Sequence, residues 1–244
     1  MKSLKIILFV FCLTAVEYSQ IYNPLQINFI AINHASFIIT FDSLTVYVDP
    51  VQDTSVYKTY PKPNIILVTD IHQDHFNPDV INSFKIDDPK IIAPKVVVDQ
   101  LGYGNILNNG ENIKINEVTI EAIPMYNLTE GRLAFHERGR GNGYVVTINN
   151  ERIYISGDTE DIKEMRELKN IDYAFVCMNL PYTMTVEQAA SATLEFKPKV
   201  IYPYHFRGKD GFSDIEKFNS LISVDKNIEI RLLNWYKWYP NKIV

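Results

Sequence analysis

The stretch Asp70-Ile71-His72-Gln73-Asp74-His75 places four side chains able to coordinate a cation, two carboxylates and two imidazoles, within six consecutive residues. It follows the apolar run Leu67-Val68, so a buried strand gives way there to a polar loop. Borderline cations such as zinc accept imidazole nitrogen and carboxylate oxygen at about 2.0–2.2 Å, and a loop leaving a buried strand can aim several such groups at one point. Taken alone, the stretch also suits a solvated turn in which Asp74 caps a short helix and both histidines face water.

Two distant positions weigh against the solvated turn. Asp158 follows the run Arg152 to Gly157, and His205 follows Val200-Ile201-Tyr202-Pro203-Tyr204, so each puts a ligand type at the end of a strand-like segment. Strand ends are where layered folds bring together polar groups from distant sequence, and rigid strands hold them in register. Singly, Gly157-Asp158-Thr159 reads as a helix-capping turn and His205 as an ordinary core or surface histidine. The chain has only five histidines, however, and His72, His75 and His205 stand in these loops, with His136 not far from Asp158.

The elements that would position these groups are legible in the hydrophobic pattern. Short β-branched and aromatic runs, Ile27 to Ile30, Ser36 to Thr40, Leu44 to Val48 and Ile65 to Val68, read as strands. Later, helical patterns at Asp161 to Leu168, Val186 to Phe196 and Ser213 to Ile222 alternate with strand-like runs such as Tyr173 to Val176 and Val200 to Tyr204. Thr159 or Glu160 is the expected start signal of the first helix, and Thr185 with Gln188 resembles a capping box for the second. This order predicts two sheets packed face to face with helices outside them, and 244 residues with 46% hydrophobic content can form one such domain.

A net charge of −5, with 24 basic against 29 acidic residues and no basic block, offers no footprint for a nucleic acid, so a small-molecule substrate is the expected partner. Lys2 and Lys5 precede an apolar run, Ile6 to Val16, which is too short to span a bilayer. Residues 1–20 therefore read as an export signal and residues 21–244 as the mature domain, periplasmic or secreted, without a stable membrane span after cleavage. Cys177, flanked by Ala174-Phe175-Val176, is expected to be buried and inert.

The ordered set Asp70-x-His72-x-Asp74-His75, Gly157-Asp158-Thr159 and Tyr204-His205 resembles the metallo-β-lactamase superfamily. Asn33-His34-Ala35-Ser36-Phe37 and Val48-Asp49-Pro50 look like the opening strands of its branch of L-ascorbate-6-phosphate lactonase-like proteins. The resemblance runs from about Ile27 to His205. It implies an α/β (α+β) fold, a four-layer αββα sandwich. It also implies one or two divalent ions, zinc in most members and manganese in some, held by Asp70, His72, Asp74, His75, Asp158 and His205, and the extra oxygen of Asp70 shifts its site toward a harder ion such as manganese or iron. The chain departs from the family at Asp70, where a histidine is usual, and at Pro124 to Asn127, where a histidine usually follows a middle strand. Asn127 or His136 would have to complete the Asp70 and His72 side, although the Gly- and Arg-containing loop around His136 reads more as a substrate contact.

The implied chemistry is hydrolysis of a small ester, lactone or phosphodiester, with Asp74 as ligand and as orienter or base for the attacking water. Asp49 is a candidate acceptor for the outer proton of a ligand imidazole, His34 a candidate substrate contact, and Arg138 and Arg140 candidates for gripping an anionic substrate. A second reading is a non-catalytic metal-dependent binding or sensing protein with a degenerate site, favoured by Asp70 and the missing histidine. The aromatic tail Trp235 to Tyr239 reads as core edge or surface cover.

Overall fold

Runs of buried β-branched and aromatic residues dominate residues 26–237, the part of the chain that the computed structural model describes. The expected export signal lies outside the described residues, as do Trp238 and Tyr239. The first sheet contains β1 (Asn28–Asn33), β2 (Ser36–Phe41), β3 (Leu44–Val48), β4 (Ile65–Leu67), β5 (Lys90–Ala93) and β6 (Asn105–Ile106), in that spatial order. Strands β1 to β3 are antiparallel neighbours and β3 to β6 are parallel ones.

The second sheet is assembled from β7 (Asn112–Ile115), β8 (Val118–Met125), β9 (Gly141–Ile148), β10 (Glu151–Ile155), β11 (Tyr173–Cys177) and β12 (Val200–Tyr204). After a small ribbon of β13 (Arg207–Gly208) and β14 (Gly211–Phe212), β15 (Glu229–Ile230) joins this sheet, whose order is β15-β12-β11-β10-β9-β8-β7. Here too one half is parallel, β10, β11, β12 and β15, and the other antiparallel.

The two sheets meet through aromatic side chains. Phe175 of β11 stacks on Phe37 of β2 with ring centres 4.4 Å apart and meets Phe29 of β1 edge-on at 5.0 Å. On the outer face of the first sheet, Ile38, Tyr47, Ile66 and Ile91 are covered by Val80 and Ile81 of α1 (Pro78–Ser83) and Val97 of α2 (Lys95–Leu101). The second sheet is covered by α3 (Lys163–Arg166), α4 (Val186–Phe196) and α5 (Ile215–Ile222), with Phe196 edge-on to Tyr154 at 5.8 Å. The layers are therefore helix, sheet, sheet, helix, as expected. Each fully buried aromatic or aliphatic side chain contributes about 1.5–3 kcal/mol to holding them.

One local expectation holds and two are corrected. The capping box of α4 is present, with Thr185 Oγ1 accepting from Gln188 N and Gln188 Oε1 from Thr185 N. The expected helix from Asp161 to Leu168 is shorter, spans only Lys163–Arg166, and has Ile162 at its N-cap with no side-chain bond. Neither Thr159 nor Glu160 caps it, because both serve the loop after β8: Thr159 Oγ1 binds the Tyr126 backbone, and Glu160 accepts from Leu128 N, Thr129 N and Arg132. The first-half helix α1 carries its own start signal, Asn77 capping with Pro78 at the first position.

Candidate metal centre

One rim of the sandwich collects the carboxyl ends of parallel strands from both sheets. Asp49 follows β3, the loop Asp70 to His75 follows β4, Asp158 follows β10 and His205 follows β12, while His34 sits in the turn between β1 and β2. Crevices at the carboxyl ends of parallel strands are where such sheets bind ligands. His34, Asp49 and His205 all have left-handed backbone conformations, with φ of 57°, 45° and 45°. That geometry costs a non-glycine residue roughly 1–3 kcal/mol and persists where the surroundings over-determine it. Gly143 permits another close approach. A Cβ there would lie 2.9 Å from the carbonyl oxygens of Ile155 and Ser156, the segment that delivers Asp158.

His75, Asp158 and His205 form a buried group. Their imidazole Nε2 atoms are 3.0 Å apart, His75 Nε2 is 3.4 Å from Asp158 Oδ2, and His205 Nε2 is 3.1 Å from Asp158 Oδ1. Residues separated by 130 positions thus converge, as the metal reading requires. Asp74 stands at the mouth, with a side chain 44% exposed and Oδ2 at 3.5 Å from His205 Nε2 and 3.4 Å from His34 Nε2. Behind the group, Asp49 faces His75 Nδ1 at 2.8 Å and accepts from Thr69 N and Thr69 Oγ1. This fixes the ring so that Nε2 points into the site.

Asp70, His72 and His136 make a second group, and His136 therefore stands with the Asp70 side, where the sequence left a gap. Its side chain is 2% exposed, with Nε2 3.3 Å from Asp158 Oδ2 and 3.9 Å from Asp70 Oδ2. The backbone pairing of Asn127 N with His136 O ties this loop to the site, and the His136 ring also lines the cleft in front of it, the place expected of a substrate contact. Asn127 itself points elsewhere, donating to the carbonyls of Arg132 and Tyr182, with its Oδ1 at 3.3 Å from His136 Nδ1. Asp158, between the two groups, has oxygens within reach of both.

Both loop arginines are engaged by protein groups. Arg138 pairs with Glu164 at 2.9 Å and lies over the Tyr126 ring, while Arg140 turns inward to Asp70 at 3.4 Å. Sequence reasoning missed Tyr236, whose hydroxyl is 2.9 Å from His34 Nδ1 and accepts from Arg207 N. Nothing in its aromatic tail signalled a partner 202 residues away. Trp235 does belong to the core, as read, donating from Nε1 to Pro203 O.

The donor set fits a cation. Four ligands in a tetrahedron with bonds of about 2.0–2.1 Å stand about 3.3–3.4 Å from one another. The 3.0 to 3.4 Å separations among His75, Asp158 and His205 bracket that spacing, and Asp74 stands at the edge of the group, with Oδ2 3.5 Å from His205 Nε2 and Oδ1 4.0 Å from His75 Nε2. Two imidazole Nε2 atoms facing each other cannot both donate, and Asp158 Oδ1, though close to His205, is off the line of a hydrogen bond and has no partner. The electrostatics agree. Burial alone would lower His75, but Asp158, Asp74 and Asp49 outweigh it and hold the imidazole well above its usual value. Burial would likewise raise Asp158, but His205 and His75 hold it well below the usual carboxylate range. Such a cluster calls for positive charge, which protons or a metal ion can supply.

In front of the ligands lies a cleft of about 630 Å³ lined by His34, His72, Asp74, Phe135, Tyr182 and Arg207. Its size suits a small molecule. Among the described residues no helix is long and apolar enough to cross a membrane.

Comparison with known proteins agrees with this geometry. A family model described as "Beta-lactamase superfamily domain" matches residues 27–205. A UPF0173 metal-dependent hydrolase from Nanoarchaeum equitans is 30% identical over 182 residues, 71% of this chain and 80% of that protein. A crystal structure from Parabacteroides distasonis, designated a metal-dependent hydrolase, is 42% identical with a TM-score of 0.78, covering 84% of this chain and 92% of that one. The diiron β-hydroxylase CmlA of Streptomyces venezuelae shares the fold at 14% identity and a TM-score of 0.64, covering 86% of this chain and 54% of its own.

Proposed function

Since this chain belongs to the β-lactamase superfamily and is a metal-dependent hydrolase, we propose that it cleaves a small ester, lactone or phosphodiester at the rim where His75, Asp158 and His205 converge. The observation that carries this reading is the buried His75, Asp158 and His205 group, opening through half-exposed Asp74 to a cleft of small-molecule size. Zinc suits its imidazole-rich donors best, with manganese or iron as alternatives. A divalent ion held there supplies a nucleophile at neutral pH by lowering the pKa of water, and polarises the scissile oxygen.

The chain's own residues do the rest. Asp74 orients the attacking water and takes its proton; burial works to raise this carboxyl, but His75, His205 and His34 hold it below the usual range, so it is ionised at neutral pH. His34 holds Asp74 Oδ2 from one side and is itself held by Tyr236. Asp49 fixes the His75 ring, and the walls of Phe135 and Tyr182, with ring centres 5.3 Å apart, restrict water on one side of the cleft.

The reading of a degenerate, non-catalytic site loses one support, because His136 stands where a ligand was missing. Export, on the strength of Lys2, Lys5 and the run Ile6 to Val16, is part of the proposal and is checked by the N-terminal sequence of the protein recovered outside the cytoplasm. Activity is tested with metal-loaded protein against lactone, carboxylic ester, phosphodiester and β-lactam panels. Metal-dependent turnover that Asp74→Ala abolishes supports the proposal. Firmly bound metal without turnover of any panel member would favour binding or sensing instead.

A further inference from the structure

Arg140 enters the candidate metal centre from the end of the loop that carries His136. Its position is fixed by its neighbours. Asn142 N donates to Thr69 O at 2.9 Å, one residue before Asp70, and Arg140 N donates to Glu137 O. From there the guanidinium reaches Asp70 Oδ2 at 3.4 Å and the Phe135 carbonyl, and makes a long contact of 3.5 Å to His72 Nε2. Guanidinium only donates, so His72 Nε2 is the acceptor; the ring proton then sits on Nδ1, facing Asp70 Oδ2 at 2.5 Å. Both nitrogens of His72 and one oxygen of Asp70 are thereby engaged without an ion.

We infer that the Arg140 guanidinium is the resident cation of the Asp70, His72 and His136 group, and that it makes the chain hold one ion firmly and a second only weakly. This rests on the reading that His75, Asp158 and His205 hold the first ion. Three observations support the inference. The side chain of Arg140 is only 20% exposed, so water screens its charge poorly. The ligand separations on this side, 2.5 Å between Asp70 and His72 and 3.9 Å between Asp70 and His136, depart from the even spacing of the other group. Asp70 Oδ1, buried and without a hydrogen-bond partner, leaves an anionic oxygen that would take an ion once the guanidinium is gone. Among the described residues no equivalent cationic side chain pairs with Asp158, His75 or His205.

The test is metal stoichiometry, independent of turnover. Wild type, Arg140→Gln, Arg140→Met and Arg140→Lys are loaded with excess zinc or manganese, dialysed and analysed for metal, and the second binding step is followed by calorimetry. One retained equivalent is expected for wild type and Arg140→Lys. Two are expected for the neutral variants, whose second step should tighten at least about tenfold as the like charge is removed. Two equivalents held firmly by wild type overturn the inference without recourse to any variant, as does a neutral variant that folds and stays at one. His205→Ala separates the two readings. Loss of the firmly held ion in that variant keeps the first-ion assignment standing whatever Arg140 does, whereas retention sinks the assignment on which the inference rests.

Discussion

The carboxylate of Asp49 lies 2.8 Å from Nδ1 of His75, a residue 26 positions further along the chain, and it accepts two hydrogen bonds from Thr69. The pair joins the ends of two parallel neighbours, β3 and β4, and decides which nitrogen His75 presents to the rim. Carboxylates behind a ligand imidazole typically govern about 10–100-fold of metal affinity. Asp49→Ala should therefore weaken the first ion by that factor, measured by competition with a chromophoric chelator. An unchanged affinity would mean that Thr69 Oγ1, 3.0 Å from the same nitrogen, and packing hold the ring without the carboxylate.

Asp74 touches the imidazoles at 3.5 and 4.0 Å and is the most exposed member of its group. Asp74→Asn should lower kcat by about 10²–10⁴, the usual share of a positioned general base, while losing less metal affinity than His205→Ala. Equal loss of metal in the two variants would make Asp74 chiefly a ligand.

His34 gives a pH signature in metal-free protein. Burial first, and the neighbouring His205 next, push its imidazole down to about 4 against the opposing pull of Asp74. In the unfolded chain it takes a proton near its ordinary value of about 6.5. Between those values the unfolded chain binds more protons, so stability is present above pH 6.5 and falls as pH drops toward 4. Relative to His34→Gln, wild type should lose about 3 kcal/mol over that window, read from urea melts at several pH values. Parallel curves for the two proteins would contradict it.

At the seam of the sandwich, Phe175 touches Phe29, Phe37 and Tyr202. Its replacement by alanine should cost about 3–5 kcal/mol through lost burial and the cavity left behind, visible as a lower midpoint in denaturant. Cys177, two residues on, is fully buried with its thiol pushed up to about 11, chiefly by burial. It should resist a disulfide reagent until the chain unfolds; rapid native reaction would show that the strand opens locally.

The candidate ligands that end strands were legible in the sequence, because the switch from an apolar run to His or Asp marks where a buried strand surfaces: Leu67-Val68 before Asp70, Ile155 before Asp158, Tyr204 before His205. The remainder depends on the path of loops. His136 follows no strand and is pulled in by a backbone bond to Asn127, so its role could not be read from spacing. The helix signals at Thr159 and Glu160 misled because their side chains were already committed to the loop after β8. Tyr236 reaches His34 only once both sheets are assembled, and local pattern carries no trace of such a pairing.

The division of the first ligand group between the sheets has a consequence for how the protein is made. His75 is carried by the first sheet, and Asp158 and His205 by the second. Neither half of the chain contains the complete group, so on the proposed reading a nascent protein would gain its metal affinity only when the late strand β12 has docked. An ion captured there would act as a rivet across the rim. It would resist the parting of the two sheets at the end where polar side chains replace the aromatic seam, and its arrival would mark the docking of β12 against the first sheet.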